Sequence, residues 1–324
     1  MNKLFLILIV AVVLNVTTAE EGFPVTITDR HGGELTLAGP VERVFCLSEP
    51  CLHALAALGE LPIGAWPFYY KFVVSDPALF GERAQNITIL EGLESVDLEA
   101  LAALKPDLIL AWPGYESTLP TDFVSTVAPV LQADYDLMMP DLETLGHDLR
   151  MIATAIGKPN SAEDLLEQLM AKQAAYLETL GDTPRREVLV VRLEAPDTNS
   201  IWALPCGPLM AQLITCADNT EDWFQYSPES LLAADPEVLV VEDWGDNVGT
   251  FPPSSWTQEG VPLWNEIPAV ANGQTYYVPV IATAPYSPVA WGETLDTLMP
   301  LLYPDIFPQP LSDEQVQDIL SSEN

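Results

Sequence analysis

The chain has 324 residues, 48% of them hydrophobic, and sets 47 Asp plus Glu against 12 Lys plus Arg for a formal net charge of −35. That length allows two modest cores, and the apolar content, punctuated by 29 prolines and 18 glycines, excludes a disordered chain. The charge repels phosphate backbones and anionic headgroups, so neither nucleic acid nor membrane is expected as a partner.

The first segment reads as an export signal: Lys3 supplies a positive start, Leu4–Leu14 an apolar stretch, and Thr17, Thr18 and Ala19 small residues before Glu20. Asn15 closes the apolar run short of the roughly 20 residues a membrane span needs. Cleavage near Ala19 is expected to release a soluble, monomeric periplasmic or secreted protein, since no cysteine stands at that point to carry a lipid.

Short apolar runs then alternate with amphipathic stretches. Val44–Leu47, Leu108–Ala111, Val188–Val191, Val238–Val241 and Tyr276–Val278 have the uninterrupted apolar character of strands buried on both faces. Leu52–Leu58, Leu98–Leu104, Leu142–Ile156 and Leu209–Ile214 carry helical spacing, so the order predicts an α/β fold with mainly parallel sheets. A unit of helix, proline, acid and buried strand occurs over Leu98–Trp112 and again over Glu229–Val241. In each copy the proline stops the helix and the acid stays at the surface as the chain enters the sheet.

Between these halves, Ser161–Leu180 predicts one long helix, capped by Asn160 or Ser161 and closed by Gly181, with Leu165, Leu166, Leu169 and Tyr176 on its apolar face. Its length, about 30 Å, suits a rod between two lobes. The expected organisation is a signal peptide over 1–19, an N-terminal lobe over 20–159, the joining helix over 160–182 and a C-terminal lobe over 183–324.

The cysteines fall in two close pairs, Cys46 with Cys51 and Cys206 with Cys216, and an oxidising compartment permits disulfides. The first pair is geometrically able to close. The second would span most of a ten-residue helix about 15 Å long, beyond the roughly 7 Å a disulfide tolerates, so it is not expected to close on itself.

Taken in order, Arg43–Gly59, Pro62–Ala65, Lys105–Trp112, Gly207–Ala217 and Trp264–Val278 resemble the iron-chelate and vitamin B12 class of ABC-importer substrate-binding proteins. The resemblance covers nearly the whole mature chain. It implies two Rossmann-like lobes joined by one long helix, a ligand held in the cleft between them, no catalysis, no intrinsic cofactor, and delivery to an ABC permease and its ATPase. It also implies an acidic residue on the first helix and another on the helix after the second Gly-rich loop, both docking on the permease. Those positions hold His53 and Ile214 here, with Glu49, Glu60, Asp218 and Glu221 nearby.

Open α/β sheets bind ligands at the carboxyl ends of their strands, and rings are plentiful there: Trp66, Tyr69, Trp112, Tyr115, Trp202, Trp244 and Tyr286. With Ser48, Glu49 and Arg192 they form the expected ligand-binding set. Lys71 and Arg192, with Arg83 further off, face Glu49, Glu116, Glu242 and Asp243. This balance favours a neutral or cationic iron chelate, such as a ferric hydroxamate siderophore, or cobalamin, over a trianionic catecholate. Arg192 either points into the cleft or pairs with Glu194 or Glu242. Haem is an alternative because Tyr115 is suited to ligate iron, and a thiolate pair of Cys51 and Cys206 is another. The histidines, His31, His53 and His147, stand on unlike elements, so no bare-metal site is expected. No Gly-x-Ser-x-Gly, P-loop, Gly-x-Gly-x-x-Gly or His-Glu-x-x-His pattern occurs. An enzyme, or a secreted sensor or interaction protein on this fold, is therefore the alternative of another class.

Overall fold

The computed structural model describes residues 22–29, 32–47, 49–66, 80–90, 97–111, 121–133, 141–193, 201–217, 224–243, 261–279, 282–283 and 288–321. It begins with an antiparallel hairpin of β1 (Val25–Thr28) and β2 (Glu34–Leu37). At its turn the Asp29 carboxylate accepts the Gly33 N–H at 2.7 Å. A Cβ on Gly33 would stand 2.7 Å from that same carboxylate, so the turn admits glycine alone without rearrangement.

The first lobe follows: β3 (Val44–Cys46), α1 (Glu49–Ala57), β4 (Gly64–Ala65), β5 (Thr88–Ile89), α2 (Leu98–Leu104), β6 (Leu108–Ala111), α3 (Thr121–Val124), β7 (Val130–Gln132) and α4 (Leu142–Ala155). Its sheet runs β5-β4-β3-β6-β7 with every pairing parallel. Gly64 leaves room for its neighbours in the sheet: a Cβ there would lie 2.8 Å from the Thr88 carbonyl of β5 and 2.9 Å from the Phe45 ring of β3. The strands β3 and β6 are buried throughout, as apolar runs in a covered parallel sheet should be.

The joining helix α5 spans Pro159–Leu180, about 33 Å at 1.5 Å per residue. It starts two residues before the expected Ser161. Lys158 precedes the first turn and Pro159 opens it, where its missing N–H costs nothing. Gly181 closes the helix at φ 49°. The apolar face divides between the lobes. Ala162 and Leu166 enter the first core, while Leu169, Tyr176 and Leu180 enter the second.

The second lobe comprises β8 (Glu187–Leu193), β9 (Ile201–Ala203), α6 (Met210–Leu213), β10 (Thr215–Cys216), β11 (Phe224–Tyr226), α7 (Pro228–Ala234), β12 (Val238–Asp243), α8 (Pro268–Ala271), β13 (Thr275–Pro279), α9 (Pro288–Leu302) and α10 (Asp313–Ser321). Its sheet runs β11-β9-β8-β12-β13, with β10 also beside β8. The β8, β10, β12 and β13 pairings are parallel, whereas β9 and β11 add on antiparallel. The molecule is thus α/β, with two lobes of mainly parallel sheet joined by one long helix.

The repeated unit has the same anatomy in both lobes. α2 ends on Lys105 at φ 51° and α7 on Asp235 at φ 46°, left-handed residues that break the helix just before a proline. The following acid ties the entering strand to its neighbour. Asp107 accepts the N–H groups of Glu42 and Arg43, each at 2.9 Å, ahead of β3. Glu237 accepts the Glu187 N–H at 3.3 Å, at the start of β8.

The lobes meet through more than α5. Helix α9, from the second lobe, packs on α5 and also on α1 and α4 of the first. Asp296 of α9 pairs with Lys172 and accepts the Tyr176 hydroxyl at 2.8 Å, while that hydroxyl accepts the Leu311 N–H at 2.9 Å.

Candidate ligand-binding site

In the first lobe the carboxyl end of β3 is pinned. Cys46 bonds Cys51 in the first turns of α1 with their Cα atoms 5.6 Å apart, and the Leu47 N–H donates to the Leu110 carbonyl at 2.9 Å. The loop from strand to helix is therefore held at both ends. Glu49 is the first residue of α1; Ser48, Tyr69, Trp112, Tyr115, Glu116 and Lys71 lie outside the described residues. Trp66, expected at the cleft, is instead 3% exposed and belongs to the first core. Its N–H donates to the Cys46 carbonyl at 3.0 Å, which continues the sheet one residue past β4 and carries the indole inward.

The second lobe presents a polar cluster. Along β8 and β12, Val188, Val238 and Val240 face the second core, with Val190 packed against it. The two-residue strand period puts Arg192 and Glu242 next in those rows. There the core gives way to charge: Arg192 Nε donates to Glu242 Oε2 at 2.5 Å, and Thr283 Oγ1 donates to Glu242 Oε1 at 2.7 Å. The Glu242 side chain is fully buried, and that of Arg192 is 18% exposed. Of the two arrangements open for Arg192, the pairing with Glu242 is the one present. Trp202 stands directly opposite Arg192 on β9, half-buried, with its Nε1 enclosed and unpartnered among the described residues. Trp244, Tyr286 and Glu194 fall outside the described residues.

Cys206 and Cys216 do form a disulfide, with Cα atoms 6.1 Å apart, against the sequence expectation. The reason is that α6 is only one turn, Met210–Leu213, after which the chain turns into β10. The 206–216 segment is thus a closed loop, further braced by a hydrogen-bonded chain. Trp291 Nε1 donates to Gln173 Oε1 at 2.8 Å, Gln173 Nε2 to Gln212 Oε1 at 3.0 Å, and Gln212 Nε2 to the Pro208 carbonyl at 3.3 Å. Beneath it lies a cavity of about 20 Å³ lined by Val190, Leu204, Cys206, Ile214, Cys216 and Thr283, room for about one water molecule. With Cys51 and Cys206 both in disulfides, the thiolate site is ruled out.

The docking positions need correcting as well. His53 is 0% and Ile214 3% exposed. His53 sits on a helix covered by β3, α4 and α9, and Ile214 enters the second core where α6 runs into β10. Neither side chain faces outward; Asp218 and Glu221 lie outside the described residues. Among the described residues no group of His, Cys, Asp and Glu is placed to hold a metal ion, and no helix is long and apolar enough to cross a membrane. The cluster that sequence reasoning underrated is Glu242 with Thr283. The signal was an acid ending an otherwise apolar strand, in the neighbourhood of an arginine doing the same.

Comparison with known proteins agrees with this architecture. The family pattern of the periplasmic binding proteins matches residues 46–282. A vitamin B12-binding protein of Salmonella paratyphi A is 26% identical over 208 residues, 61% of this chain and 71% of that one. Among solved structures, the petrobactin-binding protein YclQ of Bacillus subtilis superposes with a TM-score of 0.67 at 17% identity, covering 91% of this chain and 98% of that one. An Fe3+-hydroxamate transport system protein of Saccharomonospora viridis gives 0.66 at 20% identity, covering 87% and 99%.

Proposed function

Because the chain belongs to the periplasmic binding protein family, we propose that it is the solute-binding component of an ABC importer, holding a metal chelate between its lobes and passing it to a permease and its ATPase. The cargo in this reading is a ferric siderophore of hydroxamate type, with cobalamin or haem as the alternative on the same fold. The protein carries its cargo unchanged, with no turnover and no cofactor of its own, in the periplasm or outside the cell after cleavage near Ala19.

The observation that carries the reading is the pair of mainly parallel sheets, one in each lobe, whose flanking loops are braced before any ligand arrives. A disulfide closes the loop beside each sheet, Cys46–Cys51 in one lobe and Cys206–Cys216 in the other, and α9 bridges the lobes. Binding surfaces held in place in advance lose little freedom on association, which suits a bulky, rigid chelate. The Vibrio cholerae catecholate-siderophore binding protein shares the fold, with a TM-score of 0.60 at 18% identity, so the fold itself does not select among chelates.

Native mass spectrometry of the mature protein with ferrioxamine E, cyanocobalamin and haem tests the proposal, with tryptophan fluorescence titration beside it. Stoichiometric adducts with one of these and saturable quenching are expected. Failure with all three, or conversion of any of them to a product, overturns it.

A further inference from the structure

We infer that Glu242 is a selectivity residue of this site: by neutralising Arg192 at the carboxyl end of the second lobe's sheet, it turns the binding wall against polyanionic ligands and towards neutral or cationic ones. The inference rests on the binding-protein reading above and specifies the charge of its cargo.

Arg192 is the one described cation at the carboxyl ends of β8 and β12. An anionic ligand would draw its main Coulombic stabilisation from such a group, most of all as the fork-shaped guanidinium that suits carboxylates and catecholate oxygens. The Arg192 side chain is 18% exposed, but Glu242 holds its guanidinium at 2.5 Å and is itself fully buried. Thr283 fixes the second carboxylate oxygen at 2.7 Å, so the carboxylate has no freedom to swing aside. An approaching anion therefore meets a dipole of zero net charge where it would otherwise meet a cation.

The rest of the described chain offers little replacement. Of the other described cations, Arg150, Lys158, Lys172 and Arg186 pair with carboxylates, and Arg43, Arg83 and Arg185, which bond backbone carbonyls and keep their charge, precede β3, β5 and β8 at the amino ends of the sheets. Lys105 likewise stands at the amino end of β6, away from the strand ends where ligands bind. The −35 formal charge acts in the same direction at longer range. Trp202, opposite Arg192 on β9, adds a half-buried ring to the same wall.

Charge-graded chelates of similar size test this. Tryptophan quenching is measured for neutral ferrioxamine E, monocationic ferrioxamine B and a trianionic ferric tris-catecholate, at constant ionic strength. The wild-type protein is expected to bind the first two and to bind the trianion most weakly; a trianion bound best overturns the inference without any variant. Glu242→Gln unmasks Arg192 and is expected to strengthen trianion binding by about tenfold or more relative to ferrioxamine E. Arg192→Gln leaves the Glu242 carboxyl without its counter-cation and is expected to raise the ratio of ferrioxamine B to ferrioxamine E binding, since the cationic chelate can take its place. Circular dichroism establishes that each variant is folded, and since removing one partner of a buried pair is destabilising, either folded variant alone decides the matter. Unchanged ratios in a folded variant that still binds ferrioxamine E overturn the inference and leave the binding-protein reading standing. Absence of binding by every chelate to the wild-type protein overturns that reading, and the inference with it.

Discussion

Tyr176 shows how much one side chain of the joining helix holds together. Its ring is fully buried against Phe307, with centroids 5.2 Å apart, and its hydroxyl links Asp296 of α9 to the backbone of Leu311. Burial pushes its phenol well above the usual value, the Leu311 N–H pulls it back somewhat, and Asp296 raises it further. In the unfolded chain this group ionises near pH 10, while the native state keeps its proton to higher pH. Its contribution is therefore fully present below pH 10 and declines above it, because the folded form then binds more protons than the unfolded one. Urea unfolding of Tyr176→Phe is expected to show a loss of about 1–3 kcal/mol at pH 7 from two broken hydrogen bonds. The same variant should lose less further stability than the wild type between pH 10 and 11; equal losses would assign the alkaline sensitivity to other groups.

Among the elements, the 206–216 loop invites the clearest test. Closing a loop of this length stabilises by about 3 kcal/mol on chain-entropy grounds, so the double variant Cys206→Ser/Cys216→Ser should melt several degrees lower. With the Gln173–Gln212–Pro208 bonds retained, amide exchange should accelerate in that loop first. Uniform acceleration across both lobes would mean that the bridge acts on the whole fold. This loop was also where sequence reasoning went wrong. Leu209–Ile214 has the spacing of a helix, and nothing local announces that the chain leaves it after one turn to place Thr215 beside Glu187. The longer strands were readable as unbroken apolar runs, and the helix–proline–acid–strand unit as a repeat. Gly64–Ala65 was reached only through a family resemblance, since two small residues carry no period. The burial of His53 was not readable at all, because the helix that covers α1 begins at Pro288, more than two hundred residues on. Of the candidate site, Arg192, Trp202 and Glu242 were placed by their positions near strand ends, whereas Thr283 needed the fold that brings it to Glu242.

For the whole molecule the decisive element is α5, whose two halves serve different cores. Glu167 sits on its exposed face between Leu166 of the first core and Leu169 of the second. Glu167→Pro should cost about 3 kcal/mol or more by breaking the helix at that point, and calorimetry is expected to show two unfolding transitions for the variant against one for the wild type. A single transition at lower temperature would mean that α9, touching α1, α4 and α5, suffices to couple the lobes. That bridging helix has a consequence of its own. With a strut seated on both halves, a large hinge bend between them is opposed, so in the proposed role the protein would keep nearly one outline with and without its cargo.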